Sequence, residues 1–177
     1  MGRIEIFNRT MKNTIESDVI IITGKSIIYR GGQVSLSEDV ERIQLLGRDV
    51  KIEHCSILGD VFMEGNIDSG KVDSSLFCFG SIENCDSNRV TDFNEELAER
   101  FFDEIKDTFV LDFEDEERLI IKLEGEFKSV VVERTLPQMF GSDLRGDVSG
   151  LYVSGSLYLK GNAKTLTSRG YGLYCEK

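Results

Sequence analysis

Apolar residues recur every five positions through the middle of this chain, at Ile52, Ile57, Phe62, Ile67, Val72, Phe77 and Ile82. Two places ahead of most of them stands a small or polar residue: Cys55, Asp60, Gly65, Gly70, Ser75 and Gly80. A helix needs apolar residues at spacings of three and four, and a half-buried strand needs alternation by two. A period of five satisfies neither. It suits a chain wound into a β-solenoid with flat walls, one apolar side chain per wall facing the axis and small residues at tight corners.

Seventeen glycines against one proline, Pro137, agree with many corners and few rigid linkers. The abundance of Val, Ile, Phe and Tyr favours pleated, half-buried surfaces. With 177 residues, the chain can bury a real core. The expected fold is therefore mainly β, a short β-solenoid or β-sheet architecture carrying one amphipathic α-helix and an acidic β-hairpin.

Residues 1–49 read as short strands at Ile4–Phe7, Val19–Ile22, Ser26–Tyr29 and Val34–Leu36, with Val40–Leu46 less sharply defined. Thr23-Gly24-Lys25 and Arg30-Gly31-Gly32-Gln33 supply the turns between them. Residues 50–90 carry the pentads, and 91–135 an acidic helix and hairpin. In 136–177 the period returns through Val148, Val153, Tyr158 and Ala163, although Leu157 and Leu159 there also fit plain alternation. These four stretches read as parts of one compact domain.

Asp92-Phe93-Asn94-Glu95 forms a capping box. Leu97, Phe101 and Ile105 then line one face of a helix expected over 93–108. Phe109–Phe113 and Arg118–Leu123 follow as strands around the tip Glu114-Asp115-Glu116-Glu117, and Phe127–Glu133 as a further strand.

No signal peptide, myristoylation signal or apolar run of the ~20 residues that span a bilayer is legible. The expectation is a soluble, cytoplasmic protein with no membrane contact, in which the sequon Asn8-Arg9-Thr10 is idle. Cys55, Cys78, Cys85 and Cys175 lack metal-site spacing and are too sparse for a disulfide scaffold. Four pentads per turn would place Cys55 and Cys85 on opposite sides of the winding, so buried free thiols are expected.

Catalytic signals are weak. Gly24-Lys25-Ser26 ends like a phosphate-binding loop, but Val19 stands where the first glycine belongs and no helix follows. A hairpin turn accounts for it better. His54 is the only histidine, and its neighbour Cys55 would point to the opposite face of an extended segment. Carboxylates are too abundant for spacing alone to single out an acid–base pair. No catalytic, cofactor-binding or metal-ligating residue is assigned.

Charge gives the sharpest functional hint. Between Asp92 and Glu126 fourteen Asp or Glu face four Lys or Arg, a net of −10 out of −11 for the whole chain. Glu96, Glu99, Asp103 and Asp107 fall on the helix side opposite Leu97 and Phe101. Like charges at that spacing destabilise a helix slightly, and acids near its carboxyl end oppose the macrodipole. Helix formation alone does not ask for this pattern. The six acids from Glu95 to Asp107 cover roughly 20 Å, about one charge per 3 Å, close to the ~3.4 Å phosphate spacing of a DNA strand. A solvated face that maintains solubility is the plain reading; a surface offered to a basic partner is the sharper one.

The pentads resemble those of pentapeptide-repeat proteins, with Phe62 and Phe77 at the centre and Cys55, Gly65, Gly70, Ser75 and Gly80 at the small position. Ile and Val fill most centres here, and Gly replaces the usual Ala. Gly59-Asp60-Val61, Gly65-Asn66-Ile67, Gly70-Lys71-Val72 and Gly146-Asp147-Val148 are similar to the turns of bactofilin-like β-helices. Either likeness covers a fifth to a third of the chain. The first implies an inhibitor, as some pentapeptide-repeat proteins are of topoisomerases, and phage-encoded anti-CRISPR proteins share the acidic texture. The second implies a self-assembling scaffold.

The leading expectation is a non-enzymatic inhibitor or adaptor that covers a basic nucleic-acid-binding surface on a partner such as a nuclease or topoisomerase. Glu96, Glu99, Asp103, Asp107, Glu114, Asp115, Glu116 and Glu117 form the contact. Direct nucleic-acid binding is disfavoured by repulsion. A monomer or small closed oligomer without cofactors is expected. The scaffold is the second reading and a small hydrolase the third.

Overall fold

In a computed structural model the structure describes residues 2–8, 11–30, 32–36, 43–87, 119–133 and 142–170. These residues are mainly β, in two mixed sheets. The amino-terminal strands are β1 (Gly2–Asn8), β2 (Met11–Ser17), β3 (Val19–Thr23), β4 (Ser26–Tyr29) and β5 (Gly32–Ser35). A first winding stretch holds β6 (Ile43–Leu46), β7 (Lys51–Ile57), β8 (Val61–Glu64), β9 (Ile67–Val72), β10 (Leu76–Phe79) and β11 (Ile82–Ser87). The second holds β12 (Leu119–Glu124), β13 (Glu126–Glu133), β14 (Ser142–Arg145), β15 (Asp147–Val153), β16 (Leu157–Lys160) and β17 (Ala163–Ser168).

Within each stretch the chain alternates between the sheets. The eight-stranded sheet runs β10-β16-β8-β14-β6-β12-β1-β2, and the nine-stranded sheet runs β11-β17-β9-β15-β7-β13-β3-β4-β5. Strands of the two stretches therefore take turns, paired in parallel. Among the described residues no strand of 43–87 pairs with another strand of 43–87. At one end the antiparallel β1–β2 and β3–β4–β5 ribbons continue the sheets beyond β12 and β13.

The pentad period has a direct cause in this register. Ile52, Val148, Ile67, Ala163 and Ile82 form one inward row across the nine-stranded sheet. Ile57, Val153 and Val72 form another. Phe62 and Phe77 share a row of the other sheet through Tyr158. Successive members of one stretch are fifteen residues apart, so one circuit holds three pentads, not four. The two inward rows are buried in the shared core, each such side chain stabilising the fold by roughly 1.5–3 kcal/mol.

Several expectations change accordingly. The third pentad position points outward: Val61 and Met63, flanking Phe62, enter the core, whereas Phe62 is buried outside the core cluster and Phe77 is half-buried. Leu157 and Leu159 alternate into the core around Tyr158, so alternation and pentads hold together in that block. Cys55 and Cys85 share a single column, Cys55–Leu151–Gly70–Leu166–Cys85, instead of lying on opposite sides, and Cys85, on the last described strand of its sheet, is exposed where a buried thiol was expected. The small residues at 55 and 70 sit in mid-strand, where leucines of the neighbouring strands fill the interior. Strand β2 was not anticipated. The helix expected over 93–108, the strand at 109–113 and the tip at 114–117 lie outside the described residues.

The glycine corners are as expected. Gly65 (φ 150°) and Gly161 (φ 147°) stack between the sheets, and a Cβ on Gly65 would lie 1.9 Å from the carbonyl oxygen of Gly146. Only glycine lets successive corners approach this closely. At the opposite corner side chains bind backbone amides of the neighbouring circuit. The Gly59 amide donates to Ser154 Oγ at 2.9 Å, and the Ser156 amide to Asp60 Oδ1 at 2.8 Å.

Candidate functional site

Every partner-contact residue expected from the sequence lies outside the described residues: Glu96, Glu99, Asp103, Asp107, Glu114, Asp115, Glu116 and Glu117. What the described structure supplies is the body that carries that segment, and one groove upon it.

The groove, about 790 Å³, crosses the outer side of the nine-stranded sheet just after the glycine corners. Each strand leaves its corner with one apolar residue pointing inward, so the residues on either side must point out. This geometry sets two polar rows across the strands. One row runs Glu126, Lys51, Asp147, with a Lys51 Nζ–Glu126 Oε1 distance of 3.8 Å. It continues through Asn66, whose backbone amide and Nδ2 both donate to Asp147 Oδ1, at 3.1 and 3.0 Å. Ser81 binds Asn162 Oδ1 in the same way, through its amide and hydroxyl. In the second row Lys164 meets Asp68 at 3.0 Å, and that contact raises the lysine pKa above its ordinary value.

The groove is thus lined by carboxylates matched to lysines and by amides matched to carboxylates. Its polar side chains are engaged with one another across the strands, as in Lys51–Glu126, Lys164–Asp68, Asn66–Asp147 and Ser81–Asn162. Among the described residues no group of three or more His, Cys, Asp or Glu could hold a metal ion.

The candidates for chemistry separate further in space. Cys55 is buried and points inward, and burial pushes its thiol up to about 12. His54 points outward and is exposed. The Cys–His combination therefore fails on orientation, as strand geometry requires. Gly24-Lys25-Ser26 is the turn between antiparallel β3 and β4, with Gly24 at φ 30°.

One polar cluster had no signal in the sequence. Tyr152 Oη donates to Asp73 Oδ2 at 2.5 Å, and Lys71 Nζ lies 3.6 Å from Asp73 Oδ1 and over the Tyr152 ring. The tyrosine hydrogen bond, helped by the charges of Lys71 and Arg169, holds Asp73 below the usual carboxylate range. The same bond raises Tyr152. A phenol held in its neutral form and a carboxylate held ionised form an anchoring contact, not an acid–base pair poised near neutrality. The partners stand 79 positions apart, so only the alternation of the two stretches could have revealed them.

Among the described residues no helix is long and apolar enough to cross a membrane. Comparison with protein-family models, with curated proteins and with solved structures finds no match for this chain.

Proposed function

We propose that this protein is a non-enzymatic binding module in which a short β-solenoid body, wound from two alternating stretches of chain, displays an acidic segment to a basic partner protein. The distribution of charge carries the reading. On the body, charges are matched between strands: Lys51 with Glu126, Arg145 with Glu64, Lys164 with Asp68 and Arg3 with Glu124. Residues 92–117 hold twelve Asp or Glu against two Lys or Arg, a net of −10 that leaves −1 for the rest of the chain. A body that neutralises its own surface does not need so concentrated a charge for folding. A partner whose basic surface normally holds nucleic acid, such as a nuclease or topoisomerase, fits that charge and its spacing.

The test is binding to a panel of purified nucleases and topoisomerases at about 50 and 200 mM salt, with duplex DNA as competitor. Binding should fall with salt, because exposed charges are screened within about 8 Å at physiological ionic strength. It should also be displaced by DNA. Replacing Glu96, Glu99, Asp103 and Asp107 with Lys should abolish it, and the same exchange at Glu114–Glu117 tests the tip. Full binding by both variants would return the segment to a solubilising role.

A second reading, a bactofilin-like scaffold, draws on the stacked corners Gly65, Gly146 and Gly161, which bring the Gly-Asn-Ile and Gly-Asp-Val turns of the two stretches into one line. Sedimentation at high concentration distinguishes an open polymer from the monomer or small closed oligomer of the first reading.

A further inference from the structure

We infer that the outer face of the nine-stranded sheet, from β5 to β15, is a self-complementary surface that pairs two copies of this chain into a closed dimer. The inference stands apart from the acidic-partner reading, which rests on charge, whereas this surface is apolar at its centre.

Among the described residues two large apolar side chains are exposed, Ile28 at 39% and Leu58 at 40%. Both lie on this face. Ile22, Ile27, Val132 and Ile57 point into the core, so their neighbours along each strand point out. Strand register then sets two adjacent outward rows. The first reads Gln33, Ile28, Ile21, Val131, Ser56 and Tyr152, one residue per strand from β5 to β15. Ile21, Val131 and Tyr152 in it are partly exposed. The second reads Ser35, Ser26, Thr23, Glu133 and Leu58, the last placed by its amide, which donates to the Val132 carbonyl. Large and small residues are therefore exchanged between two strands of one sheet. Strand β4 presents Ile28 in the first row and Ser26 in the second, and β7 with its extension presents Ser56 and then Leu58.

A two-fold axis parallel to the strands, midway between β3 and β13, brings these rows onto themselves with the two sheets face to face about 10 Å apart. It lays β4 of one copy over β7 of the other. Ile28 then enters the space that Ser56 leaves, and Leu58 meets Ser26, each contact occurring twice. Ile21 and Val131 of both copies form the centre. Glu133 of one copy accepts from the Thr23 hydroxyl of the other, and no like charges are opposed in either row. Moving the axis onto β13 would set Glu133 against its own copy and part Ile28 from Ser56, so the pattern selects one arrangement. An interface of this kind uses the same patch on both subunits and closes on itself. The six strands span about 24 Å at ~4.8 Å per strand. That is a small contact, so the association should be reversible.

Sedimentation velocity on the full chain tests the surface. The parent protein should shift from monomer to dimer as its concentration rises. It should do so at about 1 M salt as well, where charges are screened within ~3 Å. Ile28→Lys and Ser56→Asp should each raise the dimer dissociation constant by roughly tenfold or more, because each buries an unpaired charge, with circular dichroism unchanged. Mixed at low salt, the two variants should dimerise again. The introduced lysine of one chain then faces the introduced aspartate of the other, and the second Ile28–Ser56 contact is intact. A parent that stays monomeric up to about 1 mM, variants that associate as the parent does, or a mixture that stays monomeric would each overturn the inference. So would a parent dimer dispersed by salt, or an open series of larger species. None of these readouts involves a basic partner, so this inference and the proposed function can fail separately.

Discussion

The two winding stretches, 43–87 and 119–168, occupy equivalent places in both sheets yet are not interchangeable. In the column Cys55–Leu151–Gly70–Leu166–Cys85, buried at Cys55, Leu151 and Leu166 and exposed at Cys85, the first stretch contributes the small residues and the second the leucines. A Cβ on Gly70 would lie 2.6 Å from Leu166 Cδ2 and 3.4 Å from Leu151 Cβ. The halves are complementary: one leaves the space that the other fills. Large and small residues alternating along the axis pack the interior without strain. The arrangement specifies that the stretches must alternate instead of each stacking on itself.

The largest expected effect follows from that complementarity. A chain cut within 92–117 should remain an associated, folded complex, because the cut leaves every strand pairing among the described residues intact. Once separated, the fragments should lose the β signal of β6–β17, since no strand of 43–87 finds a partner within its own stretch. Remixing should restore it. Circular dichroism with thermal melting checks both steps, and a cooperatively folded isolated 119–177 fragment would break the comparison.

What the sequence made legible follows the same division. The pentads at Ile52, Ile57, Ile67, Val72 and Ile82, and the corners at Gly65 and Gly80, are properties of one stretch read alone. They pointed to the mainly β class, while the strands that the sequence bounded, such as those at Ile4–Phe7, Val19–Ile22 and Phe127–Glu133, came from alternation outside the pentads. The circuit length and the Cys55–Cys85 column depend on a second stretch inserting itself, at an offset of 81 residues for contacts such as Asn66–Asp147. Local spacing carries no trace of such an offset. The Tyr152–Asp73 contact and the polar rows of the groove were hidden for that reason. Phe62 is buried as expected, but Phe77 is only half-buried and both lie on an outward row; the period alone does not distinguish an inward row from an outward one.

Truncating one residue of each row sharpens that last distinction. Ile67→Ala empties a fully enclosed inward position and should cost about 2–5 kcal/mol. Phe77→Ala removes a half-buried ring stacked on Tyr158 and should cost less, on the order of 1–2 kcal/mol. Chemical denaturation with an unchanged m-value gives both numbers. Equal losses would put Phe77 among the core residues after all.

A smaller effect tests the alternation of sizes directly. Gly70→Ala crowds the flexible end of Leu166 and should destabilise by about 1–3 kcal/mol. Leu166→Ala alone opens a cavity, but in the double variant the added methyl enters space the leucine has left. The double variant should be more stable than the sum of the two single losses implies, with a coupling on the order of 0.5–3 kcal/mol. Simple additivity would mean that the two positions do not share a space.

The polar link between the halves should matter least, and its signature is the pH at which it acts. Asp73 comes from the first stretch and Tyr152 from the second. Because the hydrogen bond lowers the Asp73 pKa in the fold, its stabilisation is present above the ordinary carboxylate value of 3.8. It disappears as pH falls through the lowered value, since the unfolded chain then has no more protons to take up than the folded one. Tyr152, raised from 10.0, contributes in the complementary sense: its stabilisation is present below that value and is lost as pH rises through the raised one. Tyr152→Phe should therefore be less stable than the parent protein at neutral pH and converge on it in strong acid. Denaturation midpoints measured from neutral pH down to about pH 2 would show that convergence. A difference that stays constant down to the lowest pH would assign the loss to the hydroxyl itself, independent of the charge on Asp73, because phenylalanine keeps the ring beneath Lys71, leaving the two halves joined by their apolar column and backbone pairing rather than by an ionised link.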